Sequence, residues 1–74
     1  MARYPAAVAI YSRILALHPS SSTTWQNLGS TLEVLKDWEP AADAYRKAVS
    51  LDPLNAAIRK DAERFDKRRS EQKP

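Results

Sequence analysis

The sequence contains no cysteine, so neither a disulfide nor a thiolate metal site can stabilise the fold. No apolar run approaches the ~18 residues that a membrane-spanning helix needs. The N-terminus also lacks the charged-then-apolar layout of a secretory signal. These absences are typical of a reducing compartment, and they predict a cytoplasmic protein, with the nucleus as the alternative.

The 74 residues carry a net charge of +3, and the whole excess lies near the end of the chain. Residues 1–54 hold five basic and five acidic side chains, whereas residues 55–74 hold seven basic and four acidic ones. This distribution predicts a local basic feature rather than a basic protein. Because so short a chain hides only about 60% of its unfolded surface, we expect a stability of about 5 kcal/mol or less.

Apolar side chains recur at helical spacing throughout, while glycine occurs once and valine and isoleucine are few. This pattern predicts four helices and no strands. Pro5 and Pro40 stand in predicted first turns, while Pro19 and Pro53 follow predicted helix ends. Three N-cap positions have side-chain oxygens available, from one of Ser20 to Ser22, then from Asp37 and from Asn55. The predicted helices span residues 4–18, 22–35, 38–51 and 56–69.

The chain matches itself when it is shifted by 34 residues. The matching pairs are Tyr4 with Trp38, Ala7 with Ala41, Tyr11 with Tyr45, Arg13 with Lys47, Leu17 with Leu51, and Pro19 with Pro53. A fixed period of this length predicts a stacked-repeat protein, in which each unit buries its apolar face only against its neighbours. Such folds present a surface to another protein and rarely carry catalytic groups.

Residues 22–55 resemble the tetratricopeptide repeat, a 34-residue helical hairpin. The resemblance rests on residue types at fixed offsets: Trp25, Leu28, Gly29, Ala41, Tyr45, Ala48 and Pro53. Gly29 and Ala41 are small where two antiparallel helices must approach, and Trp25 and Tyr45 are large where the hairpin meets its neighbours. The resemblance implies an all-α fold of antiparallel helix-turn-helix repeats, forming a right-handed superhelix.

The same period divides the whole chain, residues 1–74, as one fragment of such an array. Residues 4–21 resemble the second helix of a preceding repeat, and residues 22–55 form the full repeat. Residues 56–69 start in phase but carry Arg59, Glu63 and Asp66 where large apolar or small residues are expected, which is typical of a solvating terminal helix. Residues 70–74 are expected to fray. We therefore expect the tail end of a longer array, either as a cut fragment or as an engineered piece.

In this family the first helix of each hairpin lines a concave groove that binds peptides. The resemblance therefore implies a protein-binding scaffold or adaptor whose partner is another protein or peptide. The small or polar groove positions of the second helix, and a basic line on the fourth, are the predicted contact residues: Thr23, Gln26, Asn27, Ser30, Glu33, Lys60, Arg64 and Lys67. The alternative interpretation is a solvated polar face.

Asn27 also invites comparison with co-chaperones of the family, in which an asparagine at this place helps to clamp a C-terminal carboxylate. That clamp needs Lys and Arg from the next repeat, where this chain has Ala57 and Asp61. Because Asp61 would repel a carboxylate, the sequence argues against a clamp.

Two further interpretations use the ends of the chain. The first helix lacks the partner that should cover Tyr4, Val8, Tyr11 and Leu15, so this face is predicted to drive self-association into a homo-oligomer or a domain swap. Lys67, Arg68 and Arg69 form a short basic stretch that could bind nucleic acid or another anionic partner, but interspersed acidic residues argue against nucleic acid.

Nothing in the sequence predicts an enzyme, a metal site or a cofactor. His18 is the single histidine, and the chain offers it no second histidine, cysteine or neighbouring set of carboxylates. Trp25 and Trp38 are expected in the core or at repeat interfaces rather than as platforms for bases.

Overall fold

The computed structural model describes residues 3–72, with side chains described from residue 6 onward. These residues form four α-helices joined by short turns. The helices are α1 (Arg3–Leu17), α2 (Ser22–Val34), α3 (Trp38–Leu51) and α4 (Ala56–Gln72). With no strand in this range, the predicted all-α fold is confirmed. α4 runs three residues beyond its predicted end at Arg69, and residues 73 and 74 of the predicted tail lie outside the described residues. Within the described range, no helix combines the length and apolar character needed to cross a bilayer.

Side-chain caps start α2 and α4. The Ser21 hydroxyl accepts a hydrogen bond from the Thr24 backbone N–H at 3.3 Å, and the Asn55 side chain accepts one from the Ile58 N–H at 3.2 Å. Each cap satisfies one of the N–H groups that a helix leaves free in its first turn. The turn before α2 is also tied down by Trp25, whose indole N–H donates to the Pro19 carbonyl at 2.9 Å.

The α2–α3 connection is a Schellman turn built on a residue other than glycine. Lys36 has a φ of 61°, its N–H donates to the Glu33 carbonyl, and the next N–H, of Asp37, donates to the Leu32 carbonyl. The two bonds satisfy carbonyls that the end of α2 would otherwise leave free. Asp37 occupies the N-cap position of α3, but its side chain makes no capping hydrogen bond, contrary to the sequence prediction.

The core lies where α2 and α3 face each other, with α1 packed on α2, and α4 packed on α3 and, over a smaller area, on α2. Each helix contributes buried apolar side chains to this core: Leu15, Leu28, Leu32, Ala41, Ala42, Ala44, Tyr45, Ala48, Ile58 and Phe65. The helices therefore pack in chain order, as the repeat pattern predicts.

Gly29 of α2 lies against the ring of Tyr45 in α3. A Cβ placed on Gly29 would lie 3.1 Å from Cδ2 and 3.2 Å from Cε2 of the Tyr45 ring. Phe65 of α4 also packs against that ring, with the ring centroids 5.0 Å apart. Since Trp38 also lies 6.1 Å from the Phe65 ring, an aromatic cluster joins α3 to α4.

α1 packs one face on the core and leaves its opposite face uncovered. Val8 and Tyr11 are half-buried against the core and Leu15 is buried. Ile10 and Leu17, on the other side, are 56% and 78% exposed.

The face of α1 that the sequence predicted to be uncovered therefore packs against the core. Residues 8, 11 and 15 share the helix face that meets the core, whereas Ile10, Ile14 and Leu17 share the opposite face at steps of four and three. The side chain of Tyr4, the fourth residue of the prediction, lies outside the described side chains.

Candidate functional site

α2 and α4 run side by side in the same direction. Gln26 of α2 donates to the Asp61 carboxylate of α4 at 2.6 Å. Seven residues further along both helices, Glu33 accepts from Arg68 at 3.0 Å. Both pairs are separated by 35 positions, which is close to the 34-residue period. The two helices therefore lie next to each other along this length.

The carboxylate of Glu33 lies inside the protein rather than on an outer surface. Glu33 is 2% exposed and accepts hydrogen bonds from the Tyr45 hydroxyl at 3.0 Å, from Arg64 at 3.1 Å and from Arg68 at 3.0 Å. Predicted as a groove residue, Glu33 instead joins α2, α3 and α4. The reason is its position seven residues after Gln26, which turns it toward α4 rather than outward.

Burial and the neighbouring carboxylate perturb the phenol of Tyr45. Burial is the main cause, and the hydrogen bond to Glu33 and its negative charge act in the same direction, so the pKa of Tyr45 rises from 10.0 to about 12. These three causes disfavour the phenolate, which would be a second negative charge beside Glu33, and they outweigh a hydrogen bond with Ser30 and the positive charge of Arg64, which act to lower the pKa.

We expect this shift to make stability fall at high pH. Between pH 10 and pH 12 the unfolded chain loses the Tyr45 proton while the folded chain keeps it, so the stabilisation is complete below pH 10 and is lost as the pH rises to 12. Two pKa units at about 1.4 kcal/mol each correspond to about 3 kcal/mol. Urea unfolding across this range measures the loss, and near-ultraviolet tyrosinate absorbance follows the ionisation. Tyr45→Phe is the control: the late ionisation must disappear in this variant, and its persistence would assign it to another tyrosine.

Exposed side chains on these two helices include six of the predicted groove residues: Thr23, Asn27, Ser30, Lys60, Arg64 and Lys67. We call these six residues the α2–α4 face. Exposed Glu63 and Glu71 lie beside the lysines of α4, three residues after Lys60 and four after Lys67. Of the eight predicted groove residues, these six are exposed, while Gln26 is half-buried in its bond to Asp61 and Glu33 is internal.

A second concavity, which the sequence analysis missed, lies between α3 and α4. It has a volume of about 420 Å³, an apolar floor that includes Ala42, Val49 and Ala62, and a rim carrying charges of both signs. Glu63 and Asp66 lie on this side of α4. The signal in the sequence is the replacement of apolar repeat positions on α4 by charged residues, which the sequence analysis interpreted only as a solvating surface.

The described residues offer no site for a metal ion. Within residues 3–72 no three histidine or acidic side chains are grouped closely enough to hold one.

The position of Asp61 bears on the carboxylate clamp that the sequence argues against. Asp61 accepts a hydrogen bond from Gln26, and its negative charge would repel a carboxylate ligand.

Comparison with known families agrees with this geometry. Residues 22–55, which comprise α2, α3 and the turns around them, match the family model of the tetratricopeptide repeat. The match confirms the predicted resemblance, and four helices are consistent with a fragment built on such repeats. No curated protein matches the chain.

Proposed function

We propose, from the premise that residues 22–55 are a tetratricopeptide repeat, that this chain is a scaffold segment that recognises a peptide or helix of a partner protein on its α2–α4 face. The repeat itself supports a protein–protein interaction module in general. The finer proposal is supported by the different environments of the polar residues of α2. Gln26 and Glu33 are hydrogen-bonded to residues of α4, whereas Thr23, Asn27 and Ser30 are exposed to solvent.

The exposed side chains of α2 suit an extended peptide. Asn27 can donate and accept through its amide, and Thr23 and Ser30 can do the same through their hydroxyl groups. A peptide backbone presents both N–H and C=O groups, so uncharged side chains of this kind can pair with it whatever its sequence. Selectivity must then come from the lysines and arginine of α4.

A blocking substitution tests the location of the site. Short peptides selected from a random display library against the purified chain are expected to bind Asn27→Trp about tenfold more weakly, since the indole fills the middle of the α2–α4 face. Ser50→Trp is the matched control, because Ser50 is also an exposed helical residue but lines the α3–α4 groove. Failure to select any peptide, or loss of binding only in Ser50→Trp, would refute the proposed site.

α4 supports a second, structural role. Its residues Ile58 and Phe65 are buried, while Arg59, Glu63 and Asp66 are exposed, and all three line the α3–α4 concavity. One apolar and one charged side are what a stack of helices needs at the point where it meets water. We include this solvating role in the proposal.

Self-association is a second candidate function, and the exposed apolar line on α1 favours it. Ile10, Ile14 and Leu17 lie on one helix face, and all three side chains are exposed. In sedimentation at tens of micromolar, we expect the wild-type chain to associate and an Ile10→Glu/Leu17→Glu variant to stay monomeric. A wild-type chain that is monomeric throughout this range would remove the candidate.

A further inference from the structure

We infer that the exposed apolar face of α1 is a docking surface for an amphipathic helix of another protein. This inference goes beyond the proposed function, because its surface is centred on α1. The face consists of Ile10, Ile14 and Leu17, which are 56%, 37% and 78% exposed. An open concavity of about 640 Å³, lined by Ile14, Leu17 and residues 18–21, lies at its end, so a partner side chain has room to enter there.

The repeat period shows what covers the corresponding face of α3. Counted by 34 residues, Ile10 and Ile14 correspond to Ala44 and Ala48, which are 1% and 0% exposed. Among the described helices, α3 packs against α2 and α4, whereas α1 packs against α2 alone. Since α2 follows α1 as α4 follows α3, the neighbour that α1 lacks within the described residues is a counterpart of α2. The exposed face of α1 thus corresponds to a face that α3 buries under a helix.

α2 continues this surface beyond α1. Arg64 and Arg68 are residues of α4 that reach Glu33 of α2. The residues 34 positions before these arginines, Ser30 and Val34, are exposed on α2, and Val34 is 50% exposed. A helix that covered α1 as α2 covers α3 would therefore also pass over Ser30 and Val34. Because Val34 is apolar where α4 has an arginine, the matching residue of the occupant is apolar rather than a glutamate.

The size of the side chains on α1 constrains the occupant further. In the α2–α3 hairpin, the buried Leu28 and Leu32 of α2 share the core with small alanines of α3. α1 carries isoleucines at the equivalent positions 10 and 14. Since packed interiors tolerate little change in total volume, a helix at the same distance from α1 must have smaller side chains than α2. The fitting partner is an amphipathic helix with alanine where α2 has these leucines.

Two synthetic peptides test this inference. The first has the sequence of α2 with its flanking turns, residues 19–36, and the second carries Leu28→Ala, Leu32→Ala and Glu33→Leu in that sequence. Fluorescence anisotropy measures the binding of each labelled peptide to the intact chain. We expect the second, small-residue peptide to bind about fivefold more tightly than the first. Either Ile10→Glu or Ile14→Glu in the chain is expected to weaken its binding about tenfold, because each places a charge under an apolar stripe.

A matched control and a competition experiment decide between the possible outcomes. Ala16→Glu adds the same charge to another exposed position of α1, two residues beyond Ile14, and must leave the affinity unchanged. Absence of binding by the small-residue peptide, or an equal loss in Ala16→Glu and Ile14→Glu, would refute the inference. If the chain self-associates, and Ile10→Glu dissolves the assembly while the peptide leaves it intact, the occupant is a second copy and the partner helix is also refuted.

Discussion

Gly29→Leu is expected to lower the free energy of unfolding by about 1–3 kcal/mol or more, because it forces side-chain atoms into a tight contact between α2 and the Tyr45 ring of α3. A Cβ alone would already lie 3.1 Å from the Tyr45 ring. That ring cannot move away easily, since Phe65 packs on it and Glu33 accepts a hydrogen bond from its hydroxyl group. The four carbons of a leucine side chain must therefore push the two helices apart.

Two further variants give this prediction its controls. Gly29→Ala removes a helix-interior glycine, which is worth about 1 kcal/mol, but adds the tight Cβ contact, so we expect a net change near zero. Asn27→Leu places the same leucine two residues earlier at an exposed position of α2, where we expect about 0.5 kcal/mol or less. Urea unfolding followed by far-ultraviolet circular dichroism measures all three. Equal stability of Gly29→Leu and the wild-type chain would show that the hairpin contact is misplaced.

Removal of both arginines that pair with Glu33 is expected to lower the free energy of unfolding strongly, although both side chains are partly exposed. In Arg64→Ala/Arg68→Ala the buried carboxylate keeps a single side-chain donor, the Tyr45 hydroxyl. Breaking a buried ion pair from one side costs about 3–5 kcal/mol, and since both arginines are about half exposed we expect about 2–4 kcal/mol. This loss is a large part of the stability of so small a unit.

The cause of that loss can be tested directly. Lys60→Ala/Lys67→Ala removes two cations from the same helix without removing an ion pair made by the described residues, and we expect a change within about 0.5 kcal/mol. Adding Glu33→Gln to the double arginine variant removes the unpaired charge and should restore part of the stability. If both double variants lose equal stability, the effect comes from α4 itself and not from the Glu33 carboxylate.

Both predictions concern contacts that the sequence revealed to different degrees. Gly29 stands out as the single glycine in a helical pattern, and its repeat position already predicted a close approach of two antiparallel helices, although not that Tyr45 would be the contact. Glu33 gives no such signal. It is one of several polar residues on α2, and its partners Arg64 and Arg68 are 31 and 35 positions away. No local pattern distinguishes a glutamate that faces solvent from one that faces a helix of the next repeat.

α1 illustrates the same limit for an apolar surface. Its apolar residues cover more than one side of the helix, so the sequence predicted an uncovered face but assigned it to Val8, Tyr11 and Leu15. Burial shows that this side meets the core and that Ile10, Ile14 and Leu17 are exposed. A helix with apolar residues on two sides can pack with either one, and the choice depends on the helix that it meets.

The sequence by itself determined the number and order of the helices among residues 3–72, the repeat period and the resemblance of residues 22–55 to the tetratricopeptide repeat. These properties depend on short-range physics: apolar spacing selects helices, proline and capping residues end them, and the 34-residue period indicates how they stack. Tertiary structure alone decided which polar groups became internal and which apolar groups stayed outside. Those outcomes depend on which helices pack together and on their relative rotation, and for Gln26 and Glu33 they depend on partners 31 to 35 positions away.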